Sequence, residues 1–289
     1  MTTERAVLLI YSNCQGIDLI RLMRSSAVLS AHFEVRLVQF HLIDEGSDRL
    51  TPDALEDVTI VWEQLGSDFP MHRKRMHSLR PADARTITFP SLNMLALWPF
   101  TGIDHRLDKE PLYPAGRYPW PDYVAAELDP RGELVSDDAL FQRYMAASTA
   151  RLPDLDRRLA MDVARWRERD ATCDVKAADH LLESFRTDQL FYSFARPTPH
   201  AIRNVFDQLL ARTIEDADLL AEARADLARL LRFYVGYDME ECPVHPLIAK
   251  HFKLEWYDAD ALYRHHANAF TYRDYIIRYM RYDPYIRGG

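Results

Sequence analysis

Residues Ala6-Val7-Leu8-Leu9-Ile10-Tyr11-Ser12-Asn13-Cys14-Gln15-Gly16 decide the fold. The apolar run from Ala6 to Tyr11 breaks abruptly into polar residues. A helical pattern follows at once, with Ile17, Ile20, Met23, Ala27 and Val28 near one face. This spacing predicts strand, tight turn and helix. In an open α/β sheet, ligands bind outside the carboxyl ends of the strands. Cys14 would stand at that edge, close to a helix N-terminus, where the helix dipole favours thiolate. The backbone N–H groups of Gln15 and Gly16 would face an anion or a developing oxyanion there. A free Cys more often packs as a small hydrophobe. The polar flanks of Cys14 argue against that reading.

Reading on, Phe33–Phe40 predicts a second strand ending at His41. Thr51-Pro52 starts a helix with Pro at its first position. Val58–Trp62 is a third, β-branched strand, running out into Glu63-Gln64-Leu65-Gly66. Ser67 resembles an N-cap before a helix carrying His72-Arg73-Lys74-Arg75 and His77. Thr86–Phe89 is a fourth strand, ending in Pro90-Ser91-Leu92-Asn93. Strands alternating with helices imply βαβ units and a parallel sheet. Thr101–Pro121 reads as a long ordered loop. Beyond Ser136 the pattern is helical: Ala139–Ser148, Asp154–Arg169, Val175–Phe185, Asp188–Phe194, Pro199–Ala211, Asp216–Tyr234, Leu247–Phe252 and Tyr272–Tyr282. The predicted class is α/β: an N-terminal parallel-sheet, Rossmann-like unit over 1–100 carrying Cys14. A long loop region over 101–135 and a large, mostly α-helical part over 136–289 follow, the latter packed on the first unit.

Bulk properties narrow the function. A hydrophobic content of 48% with 28% charged residues fits an ordinary globular protein. The net charge of -8 disfavours nucleic acid and anionic membranes. Cys14, Cys173 and Cys242 are sparse and widely separated, so neither a disulfide framework nor a zinc spacing emerges, and a reducing cytoplasm fits. The first apolar run is too short for a signal-peptide core, and no stretch reaches transmembrane length. No metal is expected. GxGxxG, GxxxxGK[ST] and GxSxG motifs are all missing from the sequence.

Four strand ends converge in this reading. They offer Asn13, Cys14, Gln15 and Gly16; His41; Gln64; and Asn93. Such amides suit a site that holds a carbonyl or a sugar, although Gln64 and Asn93 equally suit loop backbone. A thiol nucleophile needs a base that can be distant in sequence. His245, in the Pro-bounded break Cys242-Pro243-Val244-His245-Pro246, and His105, beside Asp104, are the leading candidates. Arg73, Lys74 and Arg75 form either a solvated helical face or a phosphate-recognition cluster.

Ser12-Asn13-Cys14-Gln15-Gly16 resembles the Gly/Ser-Asn-Cys-Gln signature of WcbI-type polysaccharide biosynthesis proteins. Glu63-Gln64, Phe89-Pro90-Ser91-Leu92, and Cys242-Pro243-Val244-His245-Pro246 with Leu254-Glu255-Trp256 are similar to further blocks of that family. One block departs: Arg196-Pro197-Thr198-Pro199-His200 stands where a His-Pro pair is expected. The resemblance implies an esterase-like fold with its nucleophile after the first strand. It also implies a coenzyme A-binding O-acetyltransferase, with acetyl-CoA as co-substrate and a capsular or related polysaccharide sugar as acceptor. A thiol-dependent esterase or deacetylase would use the same residues with water as acceptor. A non-enzymatic binding scaffold is the third reading.

Overall fold

The computed structural model describes residues 5–43, 50–66, 70–104, 122–236, 240–265 and 268–281. The predicted cap at Ser67, His105 and most of the long loop lie outside them. The described chain forms two compact units, each assembled from several segments. The first comprises residues 1–93, 163–185 and 196–238; the second comprises 94–162, 186–195 and 239–289.

The first unit is built on four parallel strands: β1 (Ala6–Ser12), β2 (Phe33–Gln39), β3 (Ile60–Leu65) and β4 (Arg85–Pro90). Their order across the sheet is β2-β1-β3-β4. Tyr11 is level with Val38 on one side and Glu63 on the other. The helices are α1 (Gly16–Ser25), α2 (Ala27–His32), α3 (Pro52–Leu55) and α4 (Pro70–Leu79), with α8 (Ala178–Ser184), α9 (Pro199–Thr213) and α10 (Ala217–Leu230) later in the chain. Alternation along β1 sends Val7, Leu9 and Tyr11 to one face, against Leu55 of α3 and Met76 of α4. Ile10 and Ser12 face the start of α1. On that side Trp62 meets the Phe206 ring edge-on at 5.8 Å, and its indole N–H donates to Thr213 Oγ1 at 2.9 Å. Leu8, Leu9 and Ile10 are fully buried; each stabilises the fold by about 2 kcal/mol.

This strand order has a consequence for ligands. β1 is followed by β2 on one side and flanked by β3 on the other. The connections leave in opposite directions there, which opens a crevice at the carboxyl ends of β1 and β3. The Asn13-Cys14-Gln15 turn lies at that switch point.

Three predicted elements differ. The single helix predicted from Ile17 breaks at Ser26, whose hydroxyl caps α2 through Leu29 N–H and donates to Asp226 at 2.5 Å. β3 does not stop at Trp62 but runs through Glu63 and Gln64. Those polar side chains are buried yet bonded, as described below. Asp188–Phe194 is not helical: Phe191–Ser193 is a short strand with alternating burial.

The second unit holds α5 (Tyr123–Glu127), α6 (Asp137–Ala150), α11 (Pro246–Phe252), α12 (Tyr272–Met280) and a hairpin of Tyr263–His265 with Asn268–Phe270. α7 (Leu155–Thr172) contributes its first residues here and its remainder to the first unit. The aromatic C-terminal stretch is core: Tyr263, Tyr272, Tyr275 and Tyr279 pack with Phe100, Leu140 and Tyr144. Among the described residues no helix is long and apolar enough to cross a membrane.

Candidate active site

The site starts from a glycine. Gly16 opens α1 so close to β1 that a Cβ would fall 1.9 Å from Ser12 Oγ and 2.8 Å from Leu37 Cδ1. Only a bare backbone lets the helix begin there. The preceding turn closes on itself. Gly16 N–H donates to Asn13 O and Ile17 N–H to Cys14 O, each at 3.1 Å. Gln15 N–H donates to Asn13 Oδ1 at 2.9 Å.

Side-chain amides then tie three strand ends together. Gln64 Oε1 accepts from Asn13 N–H at 3.0 Å, and Gln64 Nε2 donates to Gln15 Oε1 at 2.9 Å. Gln15 Oε1 also accepts from Leu92 N–H at 3.1 Å, while its Nε2 donates to Leu92 O at 2.6 Å. Asn13 Nδ2 reaches Ser91 Oγ at 3.4 Å. Gln15 and Gln64 are buried, so their role is to hold the turn rather than to touch substrate. Asn93 contributes its carbonyl, which accepts from the Trp166 indole at 2.6 Å, and its Oδ1 is buried without a hydrogen-bond partner among the described residues.

This geometry moves the expected oxyanion donors. The N–H groups of Asn13, Gln15, Gly16 and Ile17 are all given to the turn itself or to Gln64. The Cys14 N–H is the one in this turn without a hydrogen bond among the described residues. The Cys14 side chain is partly exposed, unlike buried Cys173. One residue therefore carries both a partly exposed thiol and an N–H without a hydrogen bond among the described residues.

One residue earlier along β3, Glu63 is 1% exposed. A buried carboxylate is costly unless paired and hydrogen-bonded. Arg73 Nε donates to Glu63, and His77 Nε2 approaches its Oε2 at 3.1 Å. Arg80 donates to His77 Nδ1 at 3.4 Å, so the His77 proton sits on Nε2 and points at Glu63. Arg73 thus neutralises a buried charge, whereas Lys74 and Arg75 of the same helix are exposed. The hydroxyl of Tyr11, level with Glu63, is buried and has no hydrogen-bond partner among the described residues, and burial raises its pKa far above the ordinary tyrosine value.

His245 belongs to the second unit. Its Nδ1 accepts from Leu247 N–H at 3.1 Å and so caps α11. The ring proton is consequently on Nε2, which donates to Ser148 Oγ at 3.0 Å, and Ser148 donates to Tyr144 O at 2.8 Å. Phe100, Tyr144 and Tyr272 surround the ring. Burial pushes the His245 pKa down to about 4. With Nε2 protonated and Nδ1 engaged, neither nitrogen offers a lone pair to a substrate. The cavity beside it, about 40 Å³, suits water rather than a sugar ring. His105 lies outside the described residues.

Sequence reasoning missed Glu63 with its two partners and Arg169. Arg169 Nη1 donates to Ser91 O at 2.7 Å. Glu63 stands in a quoted block without a role, because its partners Arg73 and His77 are on the next helix, and the partner of Arg169, Ser91, lies 78 residues away. Among the described residues no group of three or more His, Cys, Asp or Glu could hold a metal ion.

Comparison with known proteins follows the same outline. The model of the family described as "Polysaccharide biosynthesis enzyme WcbI" matches residues 7–214. No curated protein sequence matches the chain. A solved structure of WcbI, described as a polysaccharide biosynthesis enzyme and as the native protein without a disulfide bond between coenzyme A and that protein's Cys14, superposes with a TM-score of 0.69. It shares 13% identity, over 96% of this chain and 89% of the other. At that identity the likeness shows the fold.

Proposed function

The chain belongs to the WcbI family of polysaccharide biosynthesis enzymes, and we propose that it transfers an acetyl group from acetyl-coenzyme A to a sugar hydroxyl through Cys14. The observation that carries this reading is the partly exposed thiol at the β1–β3 switch point, beside its own uncommitted N–H. That the relative is described by whether coenzyme A is disulfide-bonded to a cysteine supports coenzyme A as the ligand of a thiol here.

In the first step Cys14 Sγ attacks the thioester carbonyl. A new C–S bond forms, the bond to the coenzyme sulfur breaks, and the coenzyme leaves as its thiol with the proton of Cys14. The carbonyl oxygen, negative in the transition state, faces the Cys14 N–H; one such donor is worth about 3 kcal/mol. In the second step the sugar hydroxyl attacks the acyl carbon, and Cys14 is released as thiol with the hydroxyl proton. Exchange between thioesters is nearly balanced, so the ester-forming second step gives the reaction its direction. Lys74 and Arg75, exposed on α4, suit the coenzyme phosphates; Arg73 serves them only as far as Glu63 leaves it free.

The test is acetylation of the protein itself. Incubated with acetyl-coenzyme A, the wild type gains one acetyl group on the Cys14 peptide by mass spectrometry, and Cys14→Ser does not. A wild type that binds neither coenzyme A nor acetyl-coenzyme A, in a melting assay where ligand at ~100 times Kd adds about 2.7 kcal/mol, overturns the reading.

A further inference from the structure

Within the stretch Tyr11–Gly16, Asn13 and Cys14 are the partly exposed residues; Tyr11, Ser12, Gln15 and Gly16 are buried. The backbone of Asn13 is committed. Its N–H donates to Gln64 Oε1 at 3.0 Å, and its carbonyl accepts from Gly16 N–H at 3.1 Å and from Ser12 Oγ at 2.9 Å. Its side-chain oxygen accepts from Gln15 N–H at 2.9 Å. That bond closes a turn across Cys14, so the Asn13 amide lies against the Cys14 peptide. The same bond fixes which end of the amide is oxygen and which is nitrogen. Nδ2 therefore stands beside Cys14 with two hydrogens to give. One goes to Ser91 Oγ at 3.4 Å, and the other has no acceptor among the described residues.

Ser91 holds that amide in place. Its own backbone is tied on both sides: Ser91 N–H donates to Leu65 O at 3.1 Å, and Ser91 O accepts from Arg169 Nη1 at 2.7 Å. A side-chain amide is planar. Gln15 takes its oxygen and Ser91 takes one hydrogen, so the direction of the remaining hydrogen is set. Acyl transfer through Cys14 calls for donors beside the thiol. As Sγ bonds to the carbonyl carbon, the π pair moves onto the oxygen. As that pair returns, the bond to the leaving group breaks. The oxygen is negative between these two events, and donors already in place stabilise it there. The Cys14 N–H supplies one, and an oxyanion has lone pairs for a second.

We infer that Asn13 Nδ2 is the second donor to the acyl oxygen, acting with the Cys14 N–H, and that Ser91 is its positioning residue. The inference rests on Cys14 as the acyl carrier proposed above. It gives Asn13 a catalytic role through its side chain, whereas Gln15 and Gln64 hold the turn. Neither donor contacts the leaving group, so the pair serves any activated acetyl donor that reaches the thiol.

The test compares two reactions of the Cys14 thiol in the full chain, each followed on the Cys14 peptide by mass spectrometry. One is acetylation by acetyl-coenzyme A or by p-nitrophenyl acetate, which passes through an oxyanion. The other is alkylation by iodoacetamide, in which Sγ displaces iodide and no oxygen gains charge. Their ratio cancels any change in the thiolate fraction. Asn13→Ser keeps an oxygen for Gln15 N–H and lacks the amide donor. It should lower the ratio about a hundredfold or more, with alkylation itself within about threefold of wild type. Asn13→Asp keeps the shape of the side chain and the Gln15 bond. It should lower the ratio at least as far, so a folding defect in one variant leaves the other to decide. Ser91→Ala should lower the ratio severalfold, and Ser91→Thr should restore it. An unchanged ratio in both Asn13 variants overturns the inference. So does an equal loss of acetylation and alkylation, since Asn13 would then merely hold the turn. If p-nitrophenyl acetate acetylates Cys14 and acetyl-coenzyme A does not, the coenzyme reading falls, and a lowered ratio with the ester still upholds the donor pair. If neither reagent acetylates Cys14, both readings fall.

Discussion

Gln64 Nε2 donates to Gln15 Oε1 at 2.9 Å, joining the end of β3 to the turn after β1 with both residues buried. The same two amides satisfy Asn13 N–H and both backbone groups of Leu92. Gln64→Leu would strand Asn13 N–H and remove one of the two donors to Gln15 Oε1, which keeps Leu92 N–H. Each buried unsatisfied polar group costs about 1–3 kcal/mol. Chemical denaturation should show a loss of about 1–3 kcal/mol, and the acetylation rate of Cys14 should fall with it. A variant as stable and as active as wild type would mean the amides do not hold the turn.

Gly16→Ala tests the close approach of α1 to β1. The new Cβ would meet Ser12 Oγ at 1.9 Å and Leu37 Cδ1 at 2.8 Å, so those side chains or the helix must shift. Overpacking of this kind costs about 1–3 kcal/mol, occasionally more. Adding Ser12→Ala removes the nearest clash, so the double variant should recover part of the midpoint in urea. Equal loss in single and double variants would place the strain at Leu37 instead.

The three cysteines should separate by reactivity. Burial pushes the Cys173 thiol up to about 11 and the Cys242 thiol further still, whereas Cys14 is partly exposed. Thiolate is the reactive form, so at about pH 8 only about one Cys173 in a thousand is reactive. A disulfide reagent should modify one thiol quickly in the native protein and all three in denaturant. Cys14→Ser should abolish the fast phase. A fast phase that survives the substitution would assign it to Cys173 or Cys242.

The reach of sequence reasoning follows from where each interaction's partner lies. β1, its turn and α1 were legible because pattern and partner are local: an apolar run, a polar break and a helical repeat. β3 was not legible past Trp62, because Glu63 is neutralised by Arg73 and hydrogen-bonded by His77 on the next helix, and Gln64 is hydrogen-bonded to Gln15 on the previous turn. The Gln15 and Gly16 N–H groups looked available as oxyanion donors; the turn's own acceptors use them. Arg169 sits in a helix whose sequence reads as strongly charged around one apolar stripe of Leu155, Leu159, Val163 and Trp166, and nothing local tells which arginine turns back to the sheet.

His245 gives the clearest pH dependence. An unfolded histidine titrates near 6.5, and burial lowers the folded value to about 4. Between these values the unfolded chain binds a proton that the folded chain excludes, so stability rises with pH. The contribution is fully present above about pH 6.5 and is lost as pH falls toward 4, amounting at most to about 3 kcal/mol. His245→Asn keeps an acceptor for Leu247 N–H but removes the titrating ring. Unfolding midpoints in urea, measured for both proteins from about pH 7 down to about pH 4.5, should converge as the wild type loses this stability. Parallel curves would refute the assignment. The same variant separates a cap from a base. Loss of a general base costs about 10²–10⁴ in rate, whereas loss of a ring bonded to Leu247 and Ser148 should leave kcat within severalfold while the melting temperature falls.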